Sequence, residues 1–508
     1  SLLCAVYCLS QPDLDCHQGQ GSPLPYCRTA AANTHTRTWN PRCAAPGTDA
    51  TKSDFAGISP MSGGKTQATL SPSASLHSER RPPIYSPYDD LPCNKHSEGH
   101  GKSLDKDEQK LGTTSAASSS ASALIISASD KAGMEGIDRA KIDAIILRES
   151  GDSAFIQQQR KRDGAVDERI KNMKYRLEEK DASCLGWRRG EEAALAPEVD
   201  RLLRTRAGRS TCVVVDMDSY YISCEMLSRP ELRKVPACVG GGMITTSNYC
   251  ARRYGVRSAM AGFIGDKLVE ELSGGKEKLV HVPSNFDLYK MKAEQVRSVL
   301  VEYDPNMRAY SLDEAYLDIG PYLELRVCKQ WDHIRAVEAL RFRGSCGMEK
   351  NEKICIGVAD DSPLELLPNE QVAKAASDVV EEMRARVQDA TGGLTCSAGF
   401  APNFMLAKIA SDRNKPNGQL FVGPSNKDIL SFVRDLPVRK VPGIGRVMEK
   451  ILNAFQIRTV QRLFEERALV KFLFKPASAG FLLRASLGWS DTEKSSDQDE
   501  ESPSSGQK

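Results

Sequence analysis

CVVVDMDSYY, residues 212–221, is the stretch on which the reading turns. An apolar strand runs into two aspartates spaced two apart. In an extended strand residues i and i+2 share a face, so Asp216 and Asp218 are expected to point the same way. A hundred residues on, SLDEAYLD (311–318) brings Asp313 and Glu314 between two short apolar stretches. Neighbours in a regular strand face opposite sides, so both carboxylates point together only if a hairpin turn falls here. MRAYS, LDE and AYLDI have that form. Two such strands side by side gather three or four carboxylates at one sheet edge. Unpaired carboxylates repel, and an oxygen-only cluster calls for Mg²⁺, with Mn²⁺ as the alternative. Two ions about 3.5–4 Å apart suit phosphoryl transfer. Either segment alone carries little, because an Asp at a strand end is more often a cap or a surface residue.

Working outward, short apolar strands alternate with helices from about Thr211 to Gly423. Strands are expected at 212–218, 237–242, 279–284, 307–311, 315–319 and 394–401, and helices at 248–255, 287–303, 369–388 and 403–412. The fold class is α+β. Residues 326–368 break the rhythm and read as a long surface insertion. TTSNYCARRYGV (245–256) sets Tyr249 and Arg252 three apart on one helical face, with Thr246 just ahead of the helix start, where backbone N–H groups favour an anion. In SDRNKPNGQ (411–419) the proline biases Lys415 into an exposed, extended conformation. Arg, Tyr and Lys converging on the carboxylates would clamp a triphosphate. On their own these residues are an ordinary helix face and an ordinary turn.

The flanks differ from this centre. The chain has 508 residues, a formal net charge of +2, 40% hydrophobic and 6% aromatic residues. That composition is lean for a wholly globular chain. Residues 1–128, rich in Ser, Ala, Pro, Gly and Thr, read as a disordered low-complexity tail. Between 129 and 205 polar helices carry a narrow apolar stripe (Ile137, Ile142, Ile145, Ile146, then Ile170, Met173, Leu177) that needs something to lie against. Residues 425–489 read as a small helical domain with twelve Lys/Arg against five Asp/Glu, and such local basicity points to phosphates. The segment 490–508 is acidic and Ser-rich. No apolar run approaches the ~18 residues of a membrane span, so no membrane partner is expected. SLLCAVYCLS at the start lacks a basic n-region and is not read as a signal peptide. The fifteen cysteines form no CxxC and no zinc spacing, and reduced thiols of an intracellular protein are expected.

These segments together resemble the Y-family DNA polymerases, and within them the DinB/kappa branch. The resemblance rests on DMDSYYISCEM (216–226), TTSNYCARRYGVRSAMAGFI (245–264), SLDEAYLDI (311–319), SAGFAPNFMLAKIASDRNKPNGQ (397–419) and LPVRKVPGIGRVMEKIL (436–452). KAGMEGIDRAKIDAIILRES (131–150) looks like the N-terminal clasp of eukaryotic kappa members. The resemblance implies a palm in two parts (206–239 and 301–424), short fingers (240–300) and a helical thumb (425–489). It also implies roles. Asp216, Asp313, Glu314 and the carbonyl of Met217 would hold two Mg²⁺ ions. Tyr221 would be the steric gate against a ribose 2′-OH, with Tyr220 under the sugar. Tyr249, Arg252, Lys415 and Thr246 would bind the incoming dNTP. Gly443 and Gly445 would form a helix–hairpin–helix turn on a DNA phosphate.

The implied function is template-directed, error-prone translesion DNA synthesis, with primer–template DNA and dNTPs as partners and the nucleus as the location. A sliding clamp would engage regions not in this chain. QQRKR (158–162) would be an import signal or simply a solvated helix face. The chain begins at Ser1 rather than Met, with Met61 an alternative start, and stops before a little-finger domain; a fragment with weak DNA grip is expected. Two other functions share these features. A palm-type nucleotidyl cyclase would lack the basic thumb and the Gly-Ile-Gly turn. An inactive DNA-binding scaffold would not need intact carboxylates.

Overall fold

The computed structural model describes residues 132–205, 209, 211–345, 364 and 368–490. The expected tail 1–128, the acidic segment beyond residue 490, and most of residues 346–367 of the expected insertion lie outside the described residues.

Three helices lead the described residues: α1 (Arg139–Ser150), α2 (Ala154–Ser183) and α3 (Trp187–Thr205). Then come β1 (Cys212–Met217), α4 (Tyr220–Ser228), β2 (Ala237–Val239), β3 (Thr246–Ser247), α5 (Tyr249–Arg252), α6 (Gly262–Leu272), β4 (Val280–Val282) and α7 (Phe286–Leu300). They are followed by β5 (Arg308–Ala309), β6 (Glu314–Asp318), α8 (Gly320–Leu323), α9 (His333–Ser345), α10 (Asn369–Thr391), β7 (Cys396–Ala401), α11 (Phe404–Ser411) and β8 (Gln419–Phe421). Helices α12 (Asn426–Val433), α13 (Arg446–Ala454), α14 (Val460–Glu465), α15 (Arg467–Leu473) and α16 (Pro476–Ser486) close the described chain.

The main sheet has the order β5-β6-β1-β7-β8. Its centre is β1, antiparallel to β6 on one side and β7 on the other. The run CVVV explains that place. Val213, Val215 and Met217 face one core with α7 and α10, while Cys212 and Val214 face a second core with α11. A strand buried on both faces has no polar side to spare. Each fully buried Val contributes roughly 1.5–3 kcal/mol. A smaller sheet, β3-β2-β4, forms the fingers. Here too alternation serves two cores: Ala237 and Val239 join the palm core, and Cys238 joins the fingers core. Cys224, Cys238 and Cys396 are buried thiols, each pushed up to about 12 by burial, which suits packing rather than reactivity.

The α+β class, with palm, short fingers and helical thumb, is the one observed. The two-residue strand β3 and the three-residue β8 give too little alternation to be read from sequence. Helix α7, grouped with the fingers by position along the chain, packs its Tyr289, Ala293, Val296 and Leu300 into the palm core. The surface-insertion reading of 326–368 needs correction in its first half. Residues 333–345 are helix α9, and Ala336, Val337 and Leu340 are buried in the palm core. Those three apolar residues sit among charged neighbours, so the stripe is too narrow to stand out.

The stripe of the leading helices is covered by the chain's own fingers and thumb. Ile142, Ile145 and Ile146 of α1 pack with Ile244, Val256 and Leu268. Ile170 and Met173 of α2 join the core shared by α11 and the thumb, and Leu202 of α3 packs with Leu430, Phe464 and Leu483. Asp163 of α2 is buried and ion-paired with Arg446 at the start of α13.

Candidate active site

The register of β1 against β6 places Asp216 directly opposite Glu314. The expected hairpin is present, with Arg308 paired to Tyr316 and Ala309 to Ala315. Asp313 lies in its turn, just before β6, and its carbonyl accepts from the Met217 amide (2.8 Å). Being outside the strand, Asp313 escapes the alternation that would otherwise send it away from Glu314. Its carboxylate accepts from the Ser311 hydroxyl (2.6 Å). Burial raises the Asp313 carboxyl above its ordinary range; the Ser311 hydrogen bond opposes this, and the charges of Asp216 and Glu314 add to it.

Two lysines answer these carboxylates. Lys415 Nζ donates to Asp216 Oδ1 (2.5 Å) and pairs with Asp412 (3.1 Å). Lys408, on α11, donates to Asp216 Oδ2 (2.5 Å) and Glu314 Oε2 (2.8 Å). Burial alone would raise the Asp216 carboxyl, but Lys415 and Lys408 outweigh it and hold the group below its ordinary value. Lys415 therefore differs from expectation. Its side chain is only 13% exposed, because the carboxylates draw its ammonium inward. No motif spacing in the sequence marks Lys408. The available signal was that it is the lone charge in the apolar helix FMLAKIAS, and a charge in such a helix must find a counter-charge.

Asp218 departs from its reading. Strand β1 ends at Met217, so the two-residue alternation does not extend to it. Its carboxylate accepts from Thr395 Oγ1 (2.8 Å), Ser397 Oγ (2.8 Å) and the Asn417 amide (2.7 Å), tying β7 to the loop after Lys415. That is a fully used, buried carboxylate with a structural task.

From the fingers, Tyr249 and Arg252 do share a face: the guanidinium lies over the Tyr249 ring, 4.7 Å from its centroid. Thr246 sits in β3 rather than at a helix start, and its hydroxyl accepts from the Ile222 amide (3.2 Å). The helix cap is Asn248, whose side chain accepts from the Ala251 amide. Tyr220 is buried and donates to the Tyr289 carbonyl (2.7 Å). Tyr221 stacks on Tyr289, with ring centroids 4.7 Å apart, and meets Phe286 edge-on. Just before these tyrosines Ser219 holds a left-handed φ of 48°, a strained value for a non-glycine residue.

These groups line one cleft of about 480 Å³. Asp216, Met217, Tyr220, Thr246, Tyr249, Arg252, Asp313, Lys408 and Lys415 contribute from palm and fingers, and Arg439, Lys440 and Gly443 from the thumb. Tyr221 and Glu314 stand just behind this lining. Ser219 Oγ and Tyr249 Oη are buried close to one another beside the cleft. Gly443 has φ +94° with the Phe481 ring against it, and Gly445 precedes α13 as its cap residue. Among the described residues, no three His, Cys, Asp or Glu side chains converge as they stand on a metal position. Lys408 and Lys415 hold the oxygens instead.

Residues 215–412 match the family model described as the impB/mucB/samB family, and residues 426–457 match the IMS family HHH motif. The first match contains Asp216, Asp313, Glu314, Tyr249, Arg252 and Lys408, while Lys415 follows it and Gly443 and Gly445 lie in the second. The chain is 38% identical to DNA polymerase kappa of Mus musculus over 406 residues, 74% of this chain and 46% of that protein. It is 37% identical to DNA polymerase IV of Legionella pneumophila (strain Corby) over 51% of this chain and 59% of that protein. The chain thus spans about half the length of the mammalian relatives it matches. DinB from Sulfolobus solfataricus overlays with a TM-score of 0.41 at 21% identity, covering 56% of this chain and 69% of that one. Among the described residues no helix is long and apolar enough to cross a membrane.

Proposed function

We propose that this chain carries the catalytic part of a template-directed DNA polymerase of the translesion type, adding dNTPs to a primer 3′-OH. The observation that carries the reading is the meeting, in one cleft, of Asp216 and Asp313 with the cationic set Arg252, Lys408 and Lys415, with Glu314 held beside them through Lys408. The kappa and DNA polymerase IV relatives support it.

The donor chemistry fits divalent cations. Asp216 pairs with Lys408 and Lys415, Glu314 pairs with Lys408, and Asp313 accepts from Ser311; all ligand atoms are oxygens, and Asp216 Oδ2 and Glu314 Oε2 already share one cation, Lys408. Asp216, Asp313, Glu314 and the Met217 carbonyl would hold two Mg²⁺ ions. Bound there, the ions would stabilise attacking and leaving oxygens. The chain's own residues have separate tasks. Arg252 and Tyr249 bind the triphosphate from the fingers. Lys415, released from Asp216, offers its ammonium to the same phosphates. Tyr221 blocks a 2′-OH, with Tyr220 forming the adjacent wall. The backbone at Gly443 and Gly445 meets a DNA phosphate without reading sequence. A nuclear location is part of this reading, because the substrate would be genomic DNA and the kappa relatives are eukaryotic.

The test is single-nucleotide incorporation on a primer–template with Mg²⁺. Asp313→Ala combined with Glu314→Ala is expected to abolish incorporation while Tm stays within a few degrees of wild type. Incorporation retained by the double variant would refute the site. A fluorescent fusion excluded from nuclei would refute the location.

A further inference from the structure

Arg252 is gripped from two distant parts of the chain. Its Nε donates to the Ser247 carbonyl (3.2 Å), and its Nη1 donates to the Ala132 carbonyl (2.9 Å), 120 residues earlier. The side chain is buried, and burial disfavours its charge. Two carbonyls on one guanidinium offset that cost and fix its plane. They engage two of its five N–H groups, and a phosphate can use others.

The next residue leans on the other half of the clamp. Gly133 has φ +87°, and a Cβ there would come within 2.6 Å of Tyr249 Cδ1 and 3.3 Å of Cε1. Backbone conformation and space each call for glycine at this position. The segment is also pinned. The Gly133 amide donates to the Glu135 carboxylate (3.0 Å), and Met134 is buried. Behind them α1 is anchored in the fingers core, and Ala132 itself lines the cleft.

We propose that Ala132–Gly133 is a positioning element of the nucleotide clamp, in which the Ala132 carbonyl orients Arg252 and the bare Gly133 backbone braces Tyr249 for the triphosphate. The inference rests on the polymerase reading above. Pre-ordering a long side chain removes an entropy cost that nucleotide binding would otherwise meet. The competing view is that this contact only tethers the leading helices.

Gly136 provides the control. It also has a positive φ, +73°, but a Cβ there meets nothing within 4 Å. Gly136→Ala therefore carries similar backbone strain without the collision. The experiment uses the full chain and measures incorporation against dNTP concentration, DNA affinity, and the thermal shift produced by dNTP with Ca²⁺. Gly133→Ala is expected to raise KM for dNTP about tenfold over Gly136→Ala, with kcat and DNA affinity little changed. In a Tyr249→Ala background the same substitution should add little, because the ring it would strike is already gone. Equal KM values for Gly133→Ala and Gly136→Ala would overturn the proposal, as would a loss confined to DNA affinity. Should Gly133→Ala not fold, Met134→Ala removes the neighbouring anchor without adding bulk and is expected to raise the same KM; an unchanged KM would overturn the proposal. If the wild type incorporates nothing, the polymerase reading fails by itself. The thermal shift then decides: lost only in Gly133→Ala, it supports the clamp; equal in all three proteins or absent from all, it overturns it.

Discussion

The Lys408 ammonium stands 2.5 Å from Asp216, a residue 192 positions away, and links it to the opposing strand through Glu314. Lys408→Met would leave Asp216 with Lys415 alone. Breaking a fully buried pair costs ~3–5 kcal/mol; with Lys408 21% exposed, about 1–3 kcal/mol is expected. A Tm drop in EDTA that Mn²⁺ partly reverses is the anticipated result, since a divalent cation replaces the lost charge. An unchanged Tm in EDTA would show that the pair contributes nothing.

Tyr221 packs against Tyr289 and Phe286, beside the Tyr220 wall of the cleft. Tyr221→Ala is expected to admit ribonucleotides, raising rNTP incorporation relative to dNTP by at least ~tenfold. The measurement is the ratio of kcat/KM values for a matched dNTP and rNTP. Unchanged discrimination would remove Tyr221 from the gate and leave it as a packing residue.

Asp163 joins the leading helices to the thumb. Its carboxylate pairs with Arg446 and accepts from Gln159 (3.2 Å), and Lys450 donates to its carbonyl (3.1 Å). Asp163→Ala leaves Arg446 without its partner at a covered contact, at a cost of about 1–3 kcal/mol. Faster hydrogen exchange confined to α2 and α13 should accompany it. Uniform exchange rates across the chain would show that the contact is not local.

His281 has an acceptor on each ring nitrogen: the Gly240 carbonyl at Nδ1 and Asp266 at Nε2, both 2.8 Å away. A neutral imidazole donates from one nitrogen only, so the charged ring serves both. Burial works against the charge, but Gly240 and Asp266 outweigh it and raise the pKa above the ordinary histidine value. The resulting stability is full below about pH 6.5 and is lost as pH rises through the raised folded value. Denaturant unfolding at pH 5.5 and 8.5 should show this difference in wild type and a smaller one in His281→Gln. Equal pH dependence in both would refute it.

Much of the site was legible because it obeys local rules. The strand CVVVDM and the hairpin around Leu312-Asp313-Glu314 announce themselves through apolar runs and turn chemistry. Tyr249 and Arg252 follow from helical spacing. Where periodicity was short or interrupted, reading failed: β3, β8 and the buried face of α9 each have too few apolar positions to register. Asp218 breaks the two-residue pattern because a strand's alternation stops where the strand stops, and sequence does not mark that residue.

The amino-acid order alone determined which residues could supply charge, and that two carboxylate segments would lie at strand ends, because backbone geometry over a few residues is set by the side chains themselves. Only the folded chain decided which charges meet. Lys408 reaches Asp216 and Glu314, Lys415 is drawn inward, and the Ala132 carbonyl holds Arg252, all through contacts between residues far apart in the chain. Such pairings depend on how helices pack across a sheet and on which groups burial leaves in need of a partner, quantities that no local pattern encodes.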